Sequence, residues 1–423
     1  MQKEKYIREK LDMSYKRTGS ELMRSGEKFS NAMWEYSWLL QRDGRQDEFA
    51  DWDKVLDGVV ERGYQCLRLD AFPHNIARGK DGVLLEEFDL VRDNNIGWTR
   101  NEPCRFNPRK GLVEFMQKCK DRGIYVGLSS WFRPDTTHRE REIETPEDYA
   151  RIWTETLDFL AENDLLDGIC WVDLCNEFPA RQWAPGAKIE IDAPAEVKAS
   201  MGLPQDQPAP PEYVMSAGMN EDSKKIFGDY IRRAIEPVRA KYPQLLYTFS
   251  VIAMPGDKAP DYSACDVLDV HLWSVLDQEW SMASEQMPLF MEMLPGDASL
   301  LEGHQASKLM RHIETSCEKY PEYKEKIFAF LENKIKDFAE VARKNDAILI
   351  TTEAWASIMY EDAFFKGALG EWDWCKEVDE FGMKKALENG WVSVCSSNFC
   401  EPQFEGMWED VEWHKKVTKM VRG

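Results

Sequence analysis

A chain of 423 residues carries a formal net charge of −22 at pH 7, and 43% of it is apolar. That apolar share builds a large core and excludes overall disorder. The acidic excess excludes a general nucleic-acid binder, which needs a basic face for phosphates.

In chain order, apolar and β-branched runs alternate with helical stripes. "FSNAMWEY" (Phe29–Tyr36) reads as a strand. The following segment places Phe49, Trp52, Val55, Leu56, Val59 and Val60 on one helical face and stops at Gly63. "YQCLRLDAFP" is the second strand, followed by a long loop from Pro73 to Arg105. Asn107 and Pro108 supply a cap and a first turn for a helix carrying Leu112, Phe115, Met116 and Cys119. "IYVGLSSWF" is the third strand, and Thr145 opens the next helix with acidic residues in its first turn. "GICWVDLCNEF" is the fourth strand, and a long excursion over 179–219 contains "PQDQPAPPEY", which is neither helix nor central strand. A helix is expected over about Asn220–Tyr242, then strands five ("LLYTFSVIA") and six ("DVLDVHLW"). Two helices, about Ala306–Lys319 and Pro321–Asn345, precede the seventh strand, "AILITTEAW". A helix near Trp374–Asn389, the eighth strand "GWVSVCSSNF" and a last helix from about Trp408 complete the chain.

Eight strand–helix units in order, without a Gly-rich turn after the first strand, predict an α/β fold. The expected form is a closed (β/α)8 TIM barrel with long βα loops, rather than an open dinucleotide-binding sheet. Residues 1–423 are expected to form one catalytic barrel with an N-terminal extension over residues 1–28.

In such a barrel the chemistry gathers where strands end. Glu35 lies near the end of strand one, Arg68 and Asp70 on strand two, and Ser129, Ser130 and Trp131 at the end of strand three. Asn176 and Glu177 end strand four, Asp269, His271 and Trp273 lie on strand six, Glu353 and Trp355 end strand seven, and Ser396, Ser397 and Asn398 end strand eight. A lone buried carboxylate is costly, so Glu177 and Glu353 should be ion-paired or functional. Two carboxylates facing across a barrel mouth suit glycosidic bond cleavage, in which one is protonated and the other ionised.

These residues resemble the clan A retaining glycoside hydrolases, in particular the cellulase-like family 5 and its relatives. "CNEFP" is similar to the family's Asn-Glu at strand four, "ITTEAW" to its strand-seven nucleophile, "CLRLDAFP" to its strand-two Arg run, and "DVHLW" to its strand-six His. The resemblance spans about Gly63 to Asn398. It implies Glu177 as general acid/base, Glu353 as nucleophile, Asn176 as a contact to the neighbouring sugar hydroxyl, and Arg68 as the cation holding Glu353. His271 would support the sugar or the nucleophile, or pack as a satisfied core group. Trp131, Trp273, Trp355, Asn398 and Glu35 complete the expected carbohydrate site. Three positions depart from the pattern. Trp273 stands where a Tyr is expected, Ser129-Ser130-Trp131 where a His is expected, and no Trp ends strand eight, with Asn398 or Trp372 as replacements.

The resulting expectation is a retaining β-glycosidase, a hydrolase of O-glycosyl bonds acting on oligosaccharides or small glycosides by double displacement. A noncatalytic carbohydrate-binding barrel is the alternative. Arg100, Arg105, Arg133 and Arg181 in the predicted βα loops leave acidic sugars open as ligands. No metal and no cofactor are expected. The six His are scattered, and the ten Cys show neither C-x-x-C nor paired Cys/His spacing. No apolar run reaches the roughly 18 residues of a membrane helix. The N-terminus lacks a signal-peptide core, so a cytoplasmic protein without nucleic-acid or membrane partners is expected.

Overall fold

The computed structural model describes residues 15–44, 48–91, 103–200, 202–209, 211, 214, 218–252, 260–286, 304–358 and 372–423. Its centre is a ring of parallel strands: β1 (Phe29–Met33), β2 (Cys66–Asp70), β3 (Tyr125–Ser129), β4 (Ile169–Asp173), β5 (Tyr247–Thr248), β6 (Val267–Trp273), β7 (Ile348–Thr351) and β8 (Ser393–Cys395). Hydrogen bonding joins them in the order β6-β7-β8-β1-β2-β3-β4-β5. The ring closes through Val251–Ile252, which continues β5 and pairs in parallel with Val270 and His271 of β6. The expected fifth strand is therefore interrupted at Phe249 and Ser250, and the interruption frees the Ser250 hydroxyl for the site described below.

Outside the ring lie α1 (Trp52–Arg62), α2 (Pro108–Lys120), α3 (Pro146–Glu162), α4 (Glu221–Lys241), α5 (His304–Asn345), α6 (Asp373–Glu388) and α7 (Val411–Arg422). Their starts follow from local chemistry. Asp51 caps α1 by accepting from the N–H groups of Asp53 and Lys54, Asn107 caps α2 from Lys110, and Thr145 and Asp148 form a capping box on α3. On α1, Trp52, Val55, Leu56 and Val59 are buried against the barrel, each contributing about 1.5–3 kcal/mol of burial. Gly63, at φ 82°, ends that helix in the left-handed conformation.

Two expectations are corrected. The residues around Pro321 form one 42-residue helix, α5, instead of two. Pro321 removes a single intrahelical hydrogen bond, and packing of α5 against α6 and β6 outweighs that loss. Nor is a helix found between β5 and β6 among the described residues, so that unit is a strand–loop–strand link. The long loop after β2 holds a one-turn helix (Pro73–Ile76) and a small hairpin pairing Phe88–Asp89 with Arg105–Phe106.

The strand pleat sorts the core. On β2, Leu67 and Leu69 face the helices, whereas Cys66 belongs to a separate apolar cluster inside the ring with Leu22, Met23, Phe29, Cys170, Trp171, Leu246, Val267 and Ile350. This cluster is the barrel floor. The helix Gly19–Ser25 closes it from below, and Gly19 lies so close to Ile169 that a Cβ would sit 2.4 Å from its backbone. All ten cysteines are thiols. Among the described residues no helix is long and apolar enough to cross a membrane.

Candidate active site

Arg68 stands above the floor, on the lumen side of β2, and is fully buried. Its Nη1 donates to Glu353 Oε1 at 2.6 Å; its Nη2 donates to Asp173 Oδ2 at 2.8 Å and to Asn176 Oδ1 at 2.7 Å. The guanidinium lies 4.4 Å from the ring centre of Trp131. A planar guanidinium fork holds acceptors from β4 and β7 at once in a fixed geometry, which the compact point charge of an ammonium does not impose. Burial opposes its charge, but Glu353, Asp173 and Asp269 hold it firmly protonated.

Glu353 follows β7 directly. Burial lifts its carboxyl above the ordinary range, and the charges of His271 and Arg68 pull it back. Glu177 follows β4 after a short turn, with its backbone at φ 43°, a left-handed conformation that costs a Glu about 1–3 kcal/mol. Its N–H donates to Ser250 Oγ at 3.0 Å, and its Oε2 accepts from Trp183 Nε1 at 3.1 Å. The Glu177 side chain is 13% exposed against 3% for Glu353, so the former is the one reached from solvent. Asn176 sits beside it, its oxygen on Arg68 and its buried Nδ2 without a protein partner.

His271 lies between the two glutamates. Its Nδ1 is 3.0 Å from Glu177 Oε1 and 3.8 Å from Glu353 Oε1. Burial works against its charge, yet Glu353, Asp269 and Glu177 together raise it to about 10. These neighbours favour its charged form, so His271 belongs to the site and is not an isolated core ring. One donor atom from each of Glu177, His271 and Glu353 falls within 4.8 Å of the others, a spacing that a cation could bridge. The chemistry of the set disfavours a resident metal, because a ligating His must be neutral and Arg68 already neutralises Glu353.

The remaining expected residues divide. Trp131 lies under Arg68, and Trp273 ends β6 in the barrel mouth. Asn398 is buried with both amide atoms unpartnered by protein. Glu35 packs against Ser37 and Glu401, and Gln403 Nε2 donates to Glu401 Oε2 at 2.5 Å. Burial raises Glu35 to about 7, and burial and then the charge of Glu35 raise Glu401 well above the ordinary range. Trp355 does not join the site. Its indole lies against Gly382 of α6 and Trp391, and it donates to the Cys395 carbonyl at 2.9 Å. Trp372 is likewise buried, stacked on Phe399 and bonded to the Glu405 carbonyl. Of the loop arginines, Arg133 is buried 4.4 Å over the Tyr36 ring. Arg105 pairs with Asp89 on the exposed hairpin, Arg181 is exposed, and Arg100 lies outside the described residues.

Sequence reasoning passed over Asp173, Ser250, Thr352, Trp183, Glu401 and Gln403. A period-two count from Cys66 and Arg68 across to β4 would have placed Asp173 inward. Trp183 and Gln403 sit in irregular turns and gave no signal.

A family model for sugar-binding cellulase-like proteins matches residues 31–422. A solved structure from Parabacteroides distasonis ATCC 8503, named as a candidate glycoside hydrolase, is 31% identical over 94% of both chains, with a TM-score of 0.73. A GH5-4 broad-specificity endoglucanase from Clostridium acetobutylicum is more distant, 11% identical over 96% of this chain and 98% of its own, with a TM-score of 0.49. No curated protein sequence matches the chain.

Proposed function

Because the chain belongs to the sugar-binding cellulase-like family, we propose that it is a retaining β-glycosidase acting on oligosaccharides or small glycosides. One observation carries the reading. Oxygens of Glu177 and Glu353 approach within 4.8 Å of one another across the barrel mouth, with Arg68 clamped on the second. Carboxyl groups about 5–5.5 Å apart suit a retaining pair, whereas an inverting pair stands roughly 6.5–9.5 Å apart to admit a water.

In the first step Glu353, oriented by Arg68, attacks the anomeric carbon while Glu177 gives its proton to the departing oxygen. In the second, the Glu177 carboxylate takes a proton from water, whose oxygen displaces Glu353 from the sugar. The buried Nδ2 of Asn176 is the donor for the hydroxyl next to the anomeric carbon, where a hydrogen bond strengthens as positive charge develops.

A panel of nitrophenyl glycosides tests the proposal. The intact protein should hydrolyse at least one with retention at the anomeric carbon, and Glu353→Ala should lower its rate by about 10⁴-fold or more. Sugar binding without turnover by the intact protein would replace the hydrolase with a carbohydrate-binding barrel.

A further inference from the structure

The place of His271 beside Glu177 raises the question of where its ring carries protons inside a buried site. A proton count around the ring answers it. Asp269, two residues before His271 on β6, accepts at both oxygens. Its Oδ1 takes the Thr352 backbone N–H at 3.1 Å and its Oδ2 takes the Thr352 hydroxyl at 2.7 Å. A hydroxyl has one hydrogen to give, so the Thr352 oxygen can only accept from its other neighbour, His271 Nε2, at 3.3 Å. That contact requires a hydrogen on Nε2. At the opposite edge of the ring, Nδ1 faces the carboxyl groups of Glu177 and Glu353.

We propose that Asp269 and Thr352 are positioning residues for the acid/base: they hold His271 doubly protonated, and His271 in turn fixes Glu177. This rests on the assignment of Glu177 as acid/base. The charged groups facing the ring are Asp269 on its own strand, Glu177 after β4, Glu353 after β7 and, less favourably, Arg68 on β2. The adjoining Val251–Ile252 segment adds none. Three carboxyl groups against one guanidinium favour the cation.

The consequence for Glu177 is specific. Its Oε1 accepts from His271 and its Oε2 from Trp183, so both oxygens of the carboxylate are held by donors. This is the form that must activate water in the second step. The proton balance is closed throughout. Glu177 loses its proton to the departing oxygen as the glycosidic bond breaks, and regains one from the water that displaces Glu353. His271 keeps both of its own.

The test reads His271 directly. In the full-length protein labelled with [15N]histidine, the His271 ring signal, identified by its loss in His271→Gln, should show two protonated nitrogens at pH 8. In Thr352→Val, which keeps the side-chain shape, and in Asp269→Asn it should become singly protonated at that pH. Thr352→Ser should restore the cation. A ring that titrates near its ordinary ~6.5 in the intact protein, or stays charged in Thr352→Val, overturns the proposal. None of these readouts needs turnover, so a failure here is distinct from a failure of the glycosidase reading, which appears as no hydrolysis by the intact protein. On a dinitrophenyl glycoside, which needs little acid assistance, Thr352→Val should lower kcat by at least about tenfold, within the range of general-base effects. Azide, which needs no base, should restore it; a loss that azide leaves unchanged counts against the relay.

Discussion

The two ends of this barrel are built from the same strands but obey opposite rules. At the floor, Phe29, Cys66, Val267 and Ile350 pack with Leu22 and Met23 of the closing helix in a layer held by burial alone. At the mouth, Arg68, Asp173, Asp269, His271 and Glu353 put several charges out of water, and each is matched by a partner. Advancing two residues along β2, from Cys66 to Arg68, is enough to cross from one regime to the other. Trp171, also of the floor cluster, lies over Gly127, where a Cβ would stand 2.0 Å from its ring. A floor of this kind tolerates pH and fails by misfit. A mouth of this kind tolerates little loss of charge balance, because removing one partner strands the others.

The largest expected effect comes from breaking the mouth at its centre. Arg68→Met removes the donors of Glu353, Asp173 and Asn176 together, and uncompensated buried charge of this sort costs about 3–5 kcal/mol. Urea unfolding at pH 7 should show that loss, with a smaller loss near pH 5, where the stranded carboxyl groups take up protons. A change under about 1 kcal/mol, the range of exposed pairs, would mean that the mouth is not a coupled network.

The floor is tested by Gly19→Ala. Helix propensity alone favours Ala over Gly by about 1 kcal/mol. Docking predicts the reverse, since the new Cβ would meet the Ile169 backbone rather than a side chain that can turn aside. A net loss of about 1–3 kcal/mol is expected, with kcat on any hydrolysed nitrophenyl glycoside unchanged well below the unfolding temperature. Stabilisation by this substitution would show that the helix does not close the barrel tightly.

The same contrast explains what could be read from the sequence. The ring of strands was legible because each is an apolar run bounded by a capped helix, and Asn107, Thr145 and Gly63 mark those boundaries chemically. Glu177, Glu353 and Arg68 stood out because charge interrupts such runs where strands end. Tertiary packing hid the rest. Trp355 lies two residues beyond Glu353, on the same face by strand period, and so resembled a site residue, yet the strand ends at Thr351 and the indole lies outward against Gly382. Pro321 resembled a helix break, but the contacts of α5 carry the helix through it. Thr352 was passed over as an ordinary β-branched strand residue, although its hydroxyl joins Asp269 to His271.

A smaller effect separates the two ends by pH. Glu35, raised to about 7, binds its proton more tightly in the folded protein than in the unfolded chain, where it titrates near 4.5. Its contribution is therefore complete at or below about pH 4.5 and is lost as pH rises through about 7. Glu401, facing it, is raised for the same reasons, first burial and then the neighbouring acid. In Glu35→Gln the amide keeps its hydrogens at every pH, so Glu401 can ionise against a donor instead of a second carboxylate. The unfolding free energies of variant and parent should match near pH 5 and diverge by about 1–2 kcal/mol in favour of the variant by pH 8, one pKa unit being worth about 1.4 kcal/mol. Asp70, also raised to about 7 by burial, leaves a residual slope of the same sign in the variant. Gly19→Ala should shift the whole curve without changing its slope, because the floor cluster around it contains no carboxyl group. Equal slopes in Glu35→Gln and the parent between pH 5 and pH 8 would show that burial does not raise Glu35 in the folded protein.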